Sequence, residues 1–175
     1  MLSKLKNLLI KIREIRCIST IIKDELYSCT LENTQELTLK NIITKCKILS
    51  VYDADTVTIA IPFNYNIYKV KCRLTGIDTA EIKTKDLLEK SHGIAGKTYL
   101  TDLINDKIIY IECGPWDKYG RLLGTLFLTK KNMDNNISIN QNLIDKNYAY
   151  KYDGDTKCKF SDWYVPTIIK TTPFS

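Results

Sequence analysis

From residue 42 onward the sequence turns to β-strand patterning, and this restricts the fold more than any other feature. Residues 42–52 are rich in β-branched side chains and read as a strand; residues 56–62 and 68–76 read as a second and a third. The segment Asp53-Ala54-Asp55-Thr56 can form the turn between the first two. A helical stretch follows over residues 87–104, with Leu100, Leu103 and Ile104 as its clearest apolar stripe and Asn105 and Asp106 near its stop. Residues 108–113 and 121–128 read as a fourth and a fifth strand. Between them lies the turn-rich loop Gly114-Pro115-Trp116-Asp117-Lys118-Tyr119-Gly120. Residues 139–146 suggest a second helix, and from Phe160 the pattern is ambiguous, broken by Pro166 and Pro173.

Three strands, a helix, two strands and a helix predict an α+β fold: a five-stranded OB-type β-barrel with helices packed on it, plus an N-terminal helical extension. Strand count alone is shared with other α+β domains. The expected division is a basic amphipathic extension over residues 1–40, the barrel domain over 41–160 and a tail over 161–175. In the extension Leu2, Leu5, Leu9, Ile12 and Ile15 fall at helical spacing, and the run Leu8-Leu9-Ile10 is too short for a signal-peptide core. The expected role is a helix packed on the domain or a partly ordered arm. Membrane-surface contact or organelle targeting through residues 1–17 is the alternative.

Charge narrows the partners. The net charge is +6, but six of the 26 basic residues and one of the 20 acids fall in residues 1–23, leaving 20 against 19 in the rest. A near-neutral body binds a polyanion through local placement of Lys and Arg, not through bulk charge. No apolar run approaches the ~20 residues of a membrane span. The six cysteines are scattered without a Cys-x-x-Cys pair and His92 is the only histidine, which argues against zinc. A chain of this size needs no disulfide staples, so the thiols are expected to be reduced and mostly buried, in an intracellular, monomeric protein with no obligate protein partner.

Acids and arginines gather at the ends of the predicted strands. Asp53 and Asp55 are two apart and face one side of an extended backbone. Arg73, Asp78, Thr79 and Glu81 fall within nine residues, and Arg121 follows a Lys-Tyr-Gly turn. Asp55 with Asp78 offers oxygen ligands to one cation, and carboxylates without His or Cys favour Ca2+ or Mg2+. Turn capping is the plainer reading of Asp53 and Asp55. Glu81, outside the metal set, can act as general base toward a water attacking phosphorus, or can be an ordinary surface glutamate. Arg73 and Arg121 can each donate paired hydrogen bonds to phosphate oxygens; for Arg73 an ion pair with Asp78 is the competing reading. Tyr148, Tyr150 and Tyr152 alternate along the chain, and Tyr150 or Tyr152 can stack on a base where core packing does not claim it. Lys83 and Lys85 read as a solvated loop and His92 as structural.

Together, Asp53-Ala-Asp55-Thr56, Arg73-x4-Asp78-Thr79-Ala-Glu81 and Asp117-Lys-Tyr119-Gly-Arg121 resemble the three active-site motifs of the staphylococcal nuclease (thermonuclease) family. The resemblance covers residues 42–153 and includes Asn140-x-x-Leu143 before Tyr148-Ala149. It implies a Ca2+-dependent nuclease acting on DNA, RNA or both. It implies Ca2+ on Asp55, Asp78 and the Thr79 carbonyl, with Asp53 close behind as an orienting acid. Arg73, Glu81 and Arg121 then take the catalytic roles, and Tyr119 contacts the substrate phosphate. The family usually has glycine where Ala54 stands and proline where Ala80 stands. An alanine at a positive-φ position would strain the turn, and loss of the proline would loosen the backbone beside Glu81. The rival expectation is an OB-type module that holds nucleic acid or a protein tail without cutting.

Overall fold

The computed structural model describes Lys23 and residues 25–164. It divides into two compact units, residues 1–37 and residues 38–175. The basic helix expected over residues 1–17 lies outside the described residues. In the first unit, residues 25–27 are helical and Thr30 and Asn33 close a turn through each other's side chains and backbone.

The second unit is built from seven strands and four helices among the described residues. The strands are β1 (Ile43–Val51), β2 (Thr56–Phe63), β3 (Asn66–Leu74), β4 (Ile77–Thr79), β5 (Ile108–Trp116), β6 (Leu122–Phe127) and β7 (Ala149–Lys151). The helices are α1 (Leu87–Ile104), α2 (Lys130–Asp134), α3 (Ile139–Asp145) and α4 (Phe160–Trp163). The order β1-β2-β3-β6-β5 closes into a barrel, so the fold is α+β with an OB-type five-stranded barrel. All its pairings are antiparallel except β3–β6, which run parallel at Cys72↔Leu122 and Arg73↔Leu123.

Alternation builds the core. Ile48, Val57, Ile59, Cys72, Leu74, Ile109, Ile111, Leu122 and Leu126 point inward and are buried, joined by Leu100 and Ile104 of α1 and Leu143 of α3. Buried Asn140 fixes α3 to the barrel: its amide donates to the carbonyls of Thr75 (2.9 Å) and Gly124 (3.1 Å) and accepts from the Leu126 N–H. The Asp86 carboxylate accepts from the N–H groups of Leu88 and Glu89 and so starts α1.

Three local features differ from the sequence expectations. The third strand stops at Leu74, because Gly76 takes φ +75° and turns the chain into the short strand β4. The fourth strand runs on to Trp116 through a register shift after Cys113, where Pro115, lacking an N–H, is tolerated. The ambiguous end from Phe160 is a helical turn that packs against His92. Of the cysteines among the described residues, Cys46, Cys72 and Cys113 are buried and Cys29 and Cys158 exposed, all five as free thiols. No helix of the described residues is long and apolar enough to cross a membrane.

Candidate active site

One open cleft, of about 750 Å³, lies over the ends of β1, β3 and β5. Asp53, Asp55, Arg73, Asp78, Thr79, Glu81, Tyr119, Arg121 and Tyr152 all line it. Of the residues singled out from sequence, Tyr150 stands apart: its ring is behind the lining, and its hydroxyl donates to Asp78 Oδ2 at 2.9 Å.

Backbone pairing brings these segments together. The β1–β2 turn is closed by the Tyr52 N–H on the Thr56 carbonyl (2.9 Å), and the Leu74 N–H donates to the Asp55 carbonyl (2.8 Å). The turn is thereby tied to the end of β3, where Arg73 points away from the barrel core. β4 pairs with β7 as a separate two-stranded ribbon, setting Asp78 opposite Tyr150 and Thr79 opposite Ala149.

At the floor, the Arg73 guanidinium bridges the two acids. One terminal nitrogen pairs with Asp55 Oδ2; the other donates to Asp78 Oδ1 (2.6 Å) and to the Ile77 carbonyl (3.2 Å). The side chains of Arg73, Asp55 and Asp78 are only 12%, 5% and 4% exposed. The ion-pair reading of Arg73 therefore holds in this structure, with Asp55 as well as Asp78. Burial pushes the Asp55 carboxyl above the usual carboxylate range, against Arg73 and with the help of neighbouring Asp53. Burial also acts on Asp78, but hydrogen bonds from Arg73 and Tyr150 and the charge of Lys157 outweigh it and hold that carboxyl low. The capping reading holds for Asp53, whose Oδ1 accepts the Asp55 N–H at 3.3 Å.

The rim is more open. Glu81 has a side chain 60% exposed, and its Oε1 meets Lys157 Nζ at 3.0 Å. Arg121 gives its Nε to Asp117 Oδ2 (2.7 Å), while Asp117 Oδ1 accepts the N–H groups of Tyr119 (2.8 Å) and Arg121 (2.9 Å). Burial of Asp117 is outweighed by these bonds, led by the Arg121 N–H, and its carboxyl lies below the usual range. The terminal nitrogens of Arg121 have no partner among the described residues and sit on a turn completed by Gly120 at φ +72°. Tyr119, exposed, lies under the Arg121 guanidinium with 5.4 Å from carbon to ring centroid. Tyr152 lies 6.0 Å from the Arg73 guanidinium carbon in the same way.

The two alanines sit against a helix face that sequence reasoning missed. Ala54 is not among the positive-φ residues, so it carries no strain of that kind. It is buried, and a Cβ on Gly96 of α1 would come within 3.1 Å of its own Cβ. Ala80 is also buried, and a Cβ on Gly93 would stand 2.7 Å from its carbonyl oxygen. Two glycines one helical turn apart let α1 lie directly on both motif segments. The Glu81 N–H adds a bond to Glu89 Oε1 of α1 at 3.3 Å.

Two buried carboxylates and the Thr79 carbonyl form an all-oxygen donor set in a cleft without His or Cys. Among the described residues no group of three or more His, Cys, Asp or Glu is placed to hold a metal ion. Two carboxylates and a carbonyl are donors of the type a hard cation takes, with solvent or phosphate completing its shell. The raised Asp55 carboxyl reflects burial, which outweighs the Arg73 charge beside it. Lys157, 3.2 Å from Asp78 Oδ1, is a cleft residue with no sequence motif around it. Only the β4–β7 pairing reveals it.

No curated protein matches the chain. The profile of staphylococcal nuclease homologues matches residues 71–163, more than half of it. The match spans Arg73 to Glu81 and Asp117 to Arg121 but begins after Asp53 and Asp55, which the β1–β2 turn carries to the same cleft. The chain belongs to the family of staphylococcal nuclease homologues.

Proposed function

We propose that this protein is a Ca2+-dependent nuclease that hydrolyses phosphodiester bonds of DNA, RNA or both. The observation that carries the reading is the convergence, on one cleft, of an acid pair bridged by Arg73 with Glu81 and Arg121 at the rim. Asp55, Asp78 and the Thr79 carbonyl would hold the cation, with Asp53 supporting the turn behind them. The bound cation would supply charge neutralisation at the phosphate.

The chain's own residues do the rest. A phosphodiester entering the cleft meets Arg73 from the floor and Arg121 from the rim. Its oxygens replace a carboxylate as acceptor at Arg73 and take the partnerless terminal nitrogens of Arg121. Glu81 accepts a proton from a water as that water's oxygen attacks phosphorus. The P–O5′ bond breaks, the 5′ oxygen takes up a proton, and the product carries a 3′-phosphate. The two guanidinium groups stabilise the charge gathering on the equatorial oxygens. Tyr119 and Tyr152 flank the path of the strand, and Tyr150 acts from behind by orienting Asp78.

Digestion of single-stranded DNA and of RNA, with Ca2+ and with chelator, tests this. Cleavage only with Ca2+, lost in Glu81→Gln, is the expected result. Equal cleavage with chelator would remove the calcium mechanism. A second reading is favoured by one feature: Asp55, Asp78, Arg73 and Lys157 already neutralise one another, as in a binding module. Folded protein that retains nucleic acid on a filter and cuts none in either condition would establish that reading instead.

A further inference from the structure

Beyond β7 the chain folds back over the cleft. The Tyr152 hydroxyl donates to the Asp155 carbonyl at 2.8 Å, and the Cys158 N–H donates to the Tyr150 hydroxyl at 3.1 Å. These two bonds bracket residues 155–158 and set Lys157 between a metal-ligand candidate and the candidate base: its Nζ is 3.2 Å from Asp78 Oδ1 and 3.0 Å from Glu81 Oε1. Burial works against its charge, but Glu81 and Asp78 prevail and hold the ammonium above the usual lysine range.

Asp78 holds three donors. Its Oδ2 accepts from Tyr150, and its Oδ1 meets both Arg73 and Lys157. A cation that takes Asp78 Oδ1 as ligand meets the Lys157 ammonium 3.2 Å from that oxygen, and the two positive charges repel. Arg73 is almost fully buried and also bound to Asp55 and the Ile77 carbonyl. Tyr150 is held by Asp78 and by the Cys158 N–H. Lys157 alone is half exposed, and a long flexible stem gives its ammonium a direct route to water.

We propose that Lys157 is a tethered counter-ion of the cation site: it balances Asp78 and Glu81 before a divalent cation arrives, swings out as one binds, and thereby sets the affinity of the site. The inference rests on the calcium reading above. It makes the site weaker for Ca2+ than its acids alone dictate, because each binding event carries the loss of two ion pairs. It also places the released ammonium at the mouth of the cleft, beside the entering polyanion.

Calorimetric titration of Ca2+ alone, without nucleic acid, into the full chain tests the proposal with Lys157→Met and Lys157→Gln. Both variants should bind Ca2+ about three- to ten-fold tighter than the wild type, the scale of two partly exposed ion pairs together. Lys157→Arg, which keeps the charge, should bind no tighter than wild type. Equal or weaker binding by both neutral variants overturns the role of Lys157 and leaves the calcium site standing. Absence of Ca2+ binding in every protein, wild type included, overturns both readings.

Discussion

The floor and the rim of the cleft use the same residue types in opposite ways. On the floor, Arg73 joins two acids whose side chains are 5% and 4% exposed. On the rim, Arg121 is 24% exposed with one acid partner four residues away, and Glu81 and Lys157 are half in water at 60% and 50%. A buried charge is costly unless paired, so the floor has to be complete for the domain to be stable. The half-exposed Glu81–Lys157 pair contributes ~0–1 kcal/mol and can exchange partners at little cost, while the Arg121–Asp117 pair, 24% and 14% exposed, lies between the two regimes. The floor therefore carries a structural load that the rim does not, and under the proposed nuclease reading both carry chemistry.

Arg73→Ala strikes this contrast hardest. It strands two buried carboxylates, and unfolding in urea should show a loss of about 3–5 kcal/mol in the metal-free protein. Added Ca2+ should recover part of that loss if the acids bind it. A loss under ~1 kcal/mol would mean that the floor relaxes into water and that the division drawn above is false. Arg121→Ala and Glu81→Gln are the complementary tests. Glu81→Gln should leave stability within about 1 kcal/mol, and Arg121→Ala should cost less than Arg73→Ala, because Asp117 keeps two backbone N–H donors. The rate of digestion should fall by about 10²–10³ for the arginine and 10²–10⁴ for the base. Either variant melting as early as Arg73→Ala would erase the distinction between rim and floor.

The next effect is smaller and lies beneath both regions. Gly93→Ala places a Cβ 2.7 Å from the Ala80 carbonyl, a backbone atom that cannot turn aside. Overpacking of that kind costs about 1–3 kcal/mol, and the shift it forces is passed to Asp78, Thr79 and Glu81, so activity should fall with stability. Gly96→Ala meets instead the Ala54 methyl at 3.1 Å. Here Ala54→Gly should relieve the crowding, and the pair should be non-additive in a double-mutant cycle read by thermal unfolding. Additivity would show that the helix and the β1–β2 turn are not packed as described.

These contacts also show where sequence reading stops. Strand and helix positions followed from β-branched runs and from the stripe at Leu100, Leu103 and Ile104, because burial imposes a period on the chain. α1 begins and ends where that pattern places it, at Leu87 and Ile104. The cleft-lining acids and arginines were legible because three short motifs hold them at fixed spacing. Gly93 and Gly96 left a readable sign, two glycines three apart inside a helix, but what they touch depends on a tertiary approach that no local pattern encodes. The ribbon of β4 and β7 is three residues on each side, too short for alternation to register. Lys157 reaches Asp78 across 79 positions only because that ribbon forms. An isolated lysine among Asp, Thr and Cys carries no sign of it.

The smallest expected effect concerns what anchors the segment bearing Lys157. Just beyond it, Phe160, Trp163 and Tyr164 surround the His92 ring at 5.6, 5.6 and 4.4 Å between centroids. The His92 Nε2 lies 2.8 Å from the Asn147 carbonyl, an acceptor, so the neutral ring donates there. Burial lowers the His92 pKa below its ordinary value, and the Asn147 carbonyl only partly opposes this. The folded protein thus binds this proton less readily than the unfolded chain. Stability from His92 is complete above the unfolded value of about 6.5 and is lost as pH falls through it toward the folded value. Asp55, raised to about 7, pulls the other way over the same interval, because the folded protein holds a proton there that the unfolded chain releases. Unfolding followed at pH 7.5 and 5.5 should therefore show stability falling more, or rising less, in wild type than in His92→Gln, while the loss from Asp78 and other low carboxylates begins at more acid pH. The emission of Trp163 should change over the same interval in wild type. Equal changes between pH 7.5 and 5.5 in wild type and His92→Gln would mean that the aromatic cluster does not distinguish the two forms of the ring, and that the anchor is held by packing alone.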